Sequence, residues 1–229
     1  MWNVADGLWQ LRGFPPHTIN VYLAGDVLID AGTRWSHRRI VRQLRGRTLS
    51  MIALTHCHPD HQGSAHSLCE AYGVPLACHS ADVAAMEGSE PMQPASPALA
   101  VSRACFAGPP HPVARHLIEG DEIAGFRVVH APGHTPGHVI FFRPSDRVAI
   151  AGDMINTMNL VTTVPGLHEP PWFFSADPLA NRRSMRLLVD LEPSLVCVGH
   201  GPPLRGVESL RSWVDRVEGL VVAVPSTCG

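Results

Sequence analysis

His56-Cys57-His58-Pro59-Asp60-His61 sets three imidazoles and a carboxylate within six residues, directly after the apolar run Met51-Ile52-Ala53-Leu54. No packing requirement calls for that density of nitrogen and oxygen donors, whereas a divalent cation does. Leu54, His56 and His58 share a parity, so a strand continued to its last residue projects both imidazoles to one side, close enough for one metal. Asp60 and His61, beyond the proline, are then free to turn toward a second. Two divalent ions about 3.5–4 Å apart lower the pKa of a shared water from about 15.7 toward 7 and polarise a carbonyl or phosphoryl oxygen. The chemistry expected is hydrolysis by hydroxide, with Asp60 orienting the nucleophile while ligating the second metal.

Further metal-type residues recur where strands are expected to end. His134 lies inside Ala131-Pro132-Gly133-His134-Thr135-Pro136-Gly137-His138, Asp153 follows Val148-Ala149-Ile150-Ala151-Gly152, and His200 follows Leu195-Val196-Cys197-Val198-Gly199. Each of the three is preceded by a glycine, which permits unusual backbone angles and close approach beside a metal.

The elements that must hold these residues alternate. Leu8 to Leu11, Ile19 to Leu23 and Val27 to Asp30 read as a three-strand meander, and Trp35 to Leu44 as a helix. Met51 to Leu54 is a strand that Pro59 helps to end, since proline disfavours helix before it and suits a helix's first turn. His61 to Tyr72 has helical apolar spacing and stops at Gly73. Strand then helix repeats at Val74 to Cys78 and Ala81 to Met86. Later strands are expected at Phe126 to His130, Val139 to Phe142, Val148 to Ala151 and Leu195 to Val198, with helices at Pro178 to Leu191 and Val207 to Leu220. The interleaving makes the class α/β. Gly88 to Pro112 and Asn156 to Ala176 are read as long loops. The second carries Trp172-Phe173-Phe174, either a wall of the substrate pocket or an aromatic pin to the core.

With 229 residues, 45% of them hydrophobic, and no apparent linker, the chain is expected to form one domain over 1-229. A formal charge of −2 without a basic run argues against nucleic acid or an anionic membrane as partner. A small-molecule substrate is expected instead. All 18 basic residues are arginine, so a lysine nucleophile is excluded. The six cysteines show neither CxxC pairing nor a secreted small-domain framework. With no signal-like N-terminus and no apolar run near about 18 residues, a soluble, cytoplasmic protein is expected.

Taken together, the HxHxDH at His56 to His61, the GHTPGH at His134, the GD at Asp153 and the GH at His200 resemble the metallo-β-lactamase-fold hydrolase superfamily. The resemblance implies an αββα four-layer sandwich. It further implies that His56, His58 and His134 hold one metal, that Asp60, His61 and His200 hold the other, and that Asp153 bridges them. The cofactors expected are two divalent ions, with zinc preferred because five imidazoles suit a borderline ion, and with iron or manganese accepted by the same donors. Asp60 is the expected catalytic residue. His138 resembles the family's second histidine of that motif and is expected to orient the site, and Asp30 matches a pattern that hydrogen-bonds a ligand. True β-lactamases of this fold lack the bridging aspartate. Glyoxalase II enzymes share the ligand set but add a C-terminal helical region with basic glutathione contacts, and only 29 residues follow His200 here. Homoserine lactonases use a tyrosine after the bridging aspartate, whereas Tyr22 and Tyr72 both precede Asp153.

The expected function is therefore dinuclear metal-dependent hydrolysis of a small ester, thioester or lactone by a metal-bridging hydroxide. Two other enzymatic readings stand beside it: a persulfide dioxygenase with one iron on His56, His134 and Asp153, and a phosphodiesterase, against which counts the lack of a long basic insertion. A metal-stabilised binding module is the non-catalytic alternative. His17, His37, His66, His79, His111, His116, His130 and His168 are read as packed or surface residues, and Cys57, of opposite parity to His56, as core.

Overall fold

In the computed structural model, which describes residues 1–222, the chain forms fifteen strands and seven helices. In chain order they are β1 (Trp2–Ala5), β2 (Leu8–Gln10), β3 (Tyr22–Ala24), β4 (Val27–Ile29), α1 (His37–Gln43), β5 (Met51–Ala53), α2 (Pro59–Gln62), α3 (Ala65–Tyr72), β6 (Leu76–His79), α4 (Val83–Met86), α5 (Pro97–Phe106), β7 (Arg115–Leu117), β8 (Glu122–Ile123), β9 (Phe126–His130), β10 (Val139–Arg143), β11 (Val148–Gly152), β12 (Asn156–Met158), β13 (Pro165–His168), α6 (Pro178–Asp190), β14 (Leu195–Val198), β15 (Leu204–Arg205) and α7 (Val207–Val222). Strands β1 to β7 make one sheet in sequence order, antiparallel as far as β4 and parallel from β4 to β7. The second sheet runs β15-β14-β11-β10-β9-β8, with β11 and β14 parallel, and β12 pairs with β13 apart from both.

Alternation along the strands sends one set of side chains between the sheets and the other outward. Leu8, Tyr22, Ile29 and Leu117 of the first sheet meet Phe126, Phe141, Ile150 and Leu195 of the second in one buried cluster. The outer face of the first sheet packs Leu28 and Ile52 against Ile40 of α1 and Leu68 of α3. The outer face of the second packs Ile140, Ala149 and Val196 against Met185 and Leu188 of α6 and Leu210 and Val214 of α7. Helix, sheet, sheet, helix is the αββα sandwich expected. Each fully buried leucine or phenylalanine in these layers contributes about 1.5–3 kcal/mol, enough to hold the edge loops of the two sheets in a common place.

Several expected elements take other bounds. Strand β5 ends at Ala53, so the parity argument for His56 and His58 fails; Thr55 donates its N–H to the Asp30 carboxylate at 2.8 Å instead of extending a ladder. The helix expected from His61 to Tyr72 is two helices, α2 and α3. Between them Gly63 lies against the backbone of Thr33 and Arg34, where a Cβ would overlap, and Ser64 Oγ donates to Thr33 O at 2.6 Å. Gly88 to Pro112 is not all loop. It contains α5, opened by Ser96, whose Oγ accepts from Leu99 N, with Pro97 in the first turn. Asn156 to Ala176 contains the β12–β13 hairpin and a 3-10 turn at Trp172–Phe174.

Candidate metal centre

Strands β5, β9, β11 and β14 deliver their C-terminal ends to one edge of the sandwich, and the loops that follow converge there. Val139 N donates to Thr55 O at 2.9 Å, joining the loop after β5 to the second sheet. Glycine permits the close approach that follows. At Gly152 φ is +53°, and a Cβ would stand 2.6 Å from His138 Nε2. At Gly199 a Cβ would overlap the Asp153 carboxylate and lie 2.7 Å from the His61 ring, so close packing rather than an unusual φ requires glycine there.

All seven residues of the expected ligand set gather at this edge. His56, His58 and His134 form one buried cluster, and Asp60, His61, Asp153 and His200 form another, the donor atoms within each lying no more than 4.8 Å apart. The two adjoin through Asp153. Its Oδ2 is 3.9 Å from His56 Nε2 and 3.8 Å from His134 Nε2 on one side, and 3.3 Å from His61 Nε2 and 2.9 Å from His200 Nε2 on the other. Asp60 Oδ2 lies 3.2 Å from His200 Nε2.

The far nitrogen of each imidazole is held. Asp30 Oδ2 accepts from His61 Nδ1 at 2.9 Å, His200 Nδ1 donates to Thr18 O, and His58 Nε2 donates to Gln93 O at 2.7 Å. His56 Nδ1 contacts Thr55 Oγ1 at 3.0 Å and His134 Nδ1 contacts Ser175 Oγ at 3.3 Å. These partners set the tautomers, so that His58 offers Nδ1 and the other four offer Nε2 toward the centre. His138 accepts from Asp153 N at 3.1 Å through Nε2, which steadies the backbone that carries the aspartate. Asp30 and His138 thus each hydrogen-bond a residue of the expected ligand set, His61 and Asp153 respectively.

The donor chemistry fits a divalent cation. His56 Nε2, His61 Nε2, His134 Nε2 and Asp153 Oδ1 are buried yet make no hydrogen bond within the protein. Such groups are rarely left unsatisfied in a folded interior, and the three imidazole nitrogens all lie within 3.9 Å of Asp153 Oδ2. The charge balance agrees. Burial, then the neighbouring imidazoles, drives the pKa of His56 and His134 well below the ordinary value. Burial opposes ionisation of His61 and His200 too, but the charges of Asp153 with Asp30, and of Asp153 with Asp60, prevail. His61 is raised well above the ordinary value, and His200 to about 10. Positive charge is therefore demanded around Asp153, and protons meet the demand when no metal does.

Two buried residues that hold the loops were not legible in the motif. Asp82 accepts from Cys57 N at 2.9 Å, Thr135 Oγ1 at 2.7 Å and Gly137 N at 2.7 Å, clamping the His56–His58 loop to the His134–His138 loop. Asn20 donates to Val198 O and Gly201 O, both at 2.8 Å, around His200. Nothing in their local sequence distinguishes them from surface polar residues. A cavity of about 80 Å³ opens on the centre between His58, Asp60, His134, Asp153 and His200 on one side and Leu99, Leu160, Pro170, Pro171 and Phe174 on the other. Phe174 is thus a wall residue, whereas Trp172 points to solvent. The remaining histidines stay outside the cluster; His79 stacks on His130 with centroids 4.0 Å apart, and His66 contacts His111.

Comparison with known proteins places this geometry. The profile of the metallo-beta-lactamase superfamily matches residues 15–200. The probable metallo-hydrolase YflN of Bacillus subtilis is 32% identical over 79% of this chain and 76% of its own. A hydroxyacylglutathione hydrolase of Cereibacter sphaeroides is 29% identical over 68% of this chain, which spans 50% of that enzyme's length. Among solved structures, TTHA1623 in a di-iron-bound form superposes with a TM-score of 0.58 at 32% identity, covering 86% of this chain and 88% of that one.

Proposed function

This chain belongs to the metallo-β-lactamase superfamily, and from that premise we propose that it is a dinuclear metal-dependent hydrolase of a small ester, thioester or lactone. The observation that carries the reading is the position of Asp153, whose Oδ2 lies within 3.9 Å of imidazole nitrogens from both clusters. One carboxylate shared between two nitrogen sets suits a pair of ions better than one. The persulfide dioxygenase reading, with a single iron on His56, His134 and Asp153, leaves Asp60, His61 and His200 without a task. A structural role for the metal is disfavoured by the open cavity, since structural sites are usually closed by four protein ligands.

Bound at this centre, divalent ions supply an acidified water and a Lewis acid for the scissile carbonyl. The chain's own residues do the rest. His58, His134 and His200, with their far nitrogens engaged, are fixed in rotation and in tautomer. Asp60 is the carboxylate of the set with appreciable exposure, its side chain 21% accessible and at the cavity wall. Burial opposes its ionisation, but the imidazoles of His200 and His61 leave its pKa lowered. It is ionised at neutral pH and able to accept a proton from a nucleophile and return it to the leaving group. Leu99, Pro170, Pro171 and Phe174 restrict water on the opposite side.

Zinc is the metal proposed, with iron the competitor suggested by the di-iron relative. Replacing Asp60 or Asp153 by Ala should abolish hydrolysis across an ester, thioester and lactone panel while unfolding stays cooperative. Metal analysis of protein purified without added metal should find two ions per chain. Unchanged turnover in either variant would overturn the role assigned, and one iron per chain with oxygen uptake would favour the dioxygenase.

A further inference from the structure

The geometry points to substrates whose scissile group carries an uncharged, apolar chain, bound against Leu99, Leu160, Pro170, Pro171 and Phe174. This deepens the hydrolase reading above and rests on it.

Beyond the metal centre, the cavity is lined by those five apolar residues and by Ser102 and Asn156, which are uncharged. No arginine is among the described lining residues, and the chain has no lysine. A carboxylate or phosphate on the far part of a substrate would lose its water without gaining a partner there, at substantial cost. An alkyl chain loses nothing.

The three segments that supply the wall also carry exposed hydrophobic side chains next or near in sequence to its lining residues: Val101 on α5, Val161 and Val164 at the tip of the β12–β13 hairpin, and Trp172 before Phe174. Val161 is 90% accessible and Trp172 is 75% accessible. The cavity of about 80 Å³ is small, so a short alkyl chain is enough to fill its apolar side. Ser96 Oγ donates to Phe173 O at 2.7 Å, tying α5 to the 3-10 turn, so two sides of the wall are fixed to each other rather than adaptable.

The test uses the holoprotein with p-nitrophenyl acetate, butyrate and hexanoate and with the mono-p-nitrophenyl esters of succinate and adipate. From acetate to butyrate, kcat/KM should rise about fourfold per methylene, as expected for burial against an apolar wall. A terminal carboxylate should lower it at least tenfold relative to the neutral ester of equal length. Leu160→Arg, at a half-exposed position, should reverse that preference toward the succinate ester, which a merely structural role for Leu160 would not do. Hydrolysis without chain-length dependence, or faster turnover of the carboxylated esters, overturns the inference and leaves the hydrolase reading standing. Absence of turnover for every member, and for a thioester and a lactone, overturns the hydrolase reading. The wall is then judged separately by calorimetry, where hexanohydroxamate should bind at least tenfold tighter than acetohydroxamate and equal affinities sink the inference.

Discussion

The Asp30 carboxylate accepts a hydrogen bond from His61 Nδ1 at 2.9 Å and, on the same side chain, the N–H and hydroxyl of Thr55. One buried residue at the end of β4 thus orients an imidazole on α2 and ends β5 where the metal loop must begin.

Asp30→Ala should therefore do two things at once. With its Nδ1 partner gone, His61 loses its preferred tautomer, and affinity at the cluster of Asp60, His61, Asp153 and His200 should fall about 10–100-fold. Chelator competition reads this directly. Stability should also drop by about 1–3 kcal/mol because buried donors of Thr55 are left unpaired. Unaltered metal retention would show that His61 needs no such orientation.

Asp82→Ala should be more damaging to the fold than to any single ligand. The side chain satisfies two backbone N–H groups and a hydroxyl, all buried, so a loss of about 3 kcal/mol or more is expected in urea unfolding. Asp82→Asn keeps acceptor capacity on one oxygen and should recover part of it. Equal stability of Ala and Asn variants would argue that the clamp contributes little.

Metal uptake should release protons unequally from the two clusters. The carboxylates of Asp153 and Asp30 raise His61 well above the ordinary imidazole range and those of Asp153 and Asp60 push His200 up to about 10, whereas His56, His58 and His134 are lowered and already neutral. A raised imidazole pKa means that the proton must be displaced by the ion, so affinity at the second cluster should strengthen as pH rises from 7 toward 10. At the first cluster it should stay flat over that range. Calorimetry in buffers of different ionisation enthalpy counts the protons, and equal release at both would refute the charge pattern.

Native thiol reactivity should be confined. Burial pushes Cys69 and Cys197 up to about 12 and raises Cys57 and Cys78 as well, whereas Cys105 is exposed at the end of α5. In a Cys228→Ser background, since Cys228 lies outside the described residues, Ellman's reagent at pH 8 should titrate one thiol per folded chain. Rapid reaction of two or more would mean that the inner faces open readily.

Much of the centre was readable because its donors come in short, ordered motifs. Three imidazoles and an aspartate in six residues, and Gly-His or Gly-Asp after each later strand, are local patterns that survive without knowledge of packing. The long central strands were equally plain: β9, expected from Phe126 to His130, has those bounds, as does β14 from Leu195 to Val198. The missed elements are short or sit at edges. β7, β8 and β15 are edge strands of three residues or fewer that no apolar run marks, and each is made by its neighbour's hydrogen bonds. Helix α5 did carry a signal, the Ser96-Pro97 start, which the surrounding prolines obscured.

The amino-acid order alone determined which residues have metal-binding chemistry, the α/β rhythm that spaces them, and the lack of any lysine, because each depends on residue type and nearest neighbours. Tertiary structure decided the rest. His200 meets Thr18 across 182 residues, Asp82 joins loops 25 and 55 residues away, and a hairpin with a helix far earlier in the chain builds the cavity wall. Such contacts arise from packing two twisted sheets and their helices to crystal-like density, a collective property of the whole interior that no local window of sequence contains.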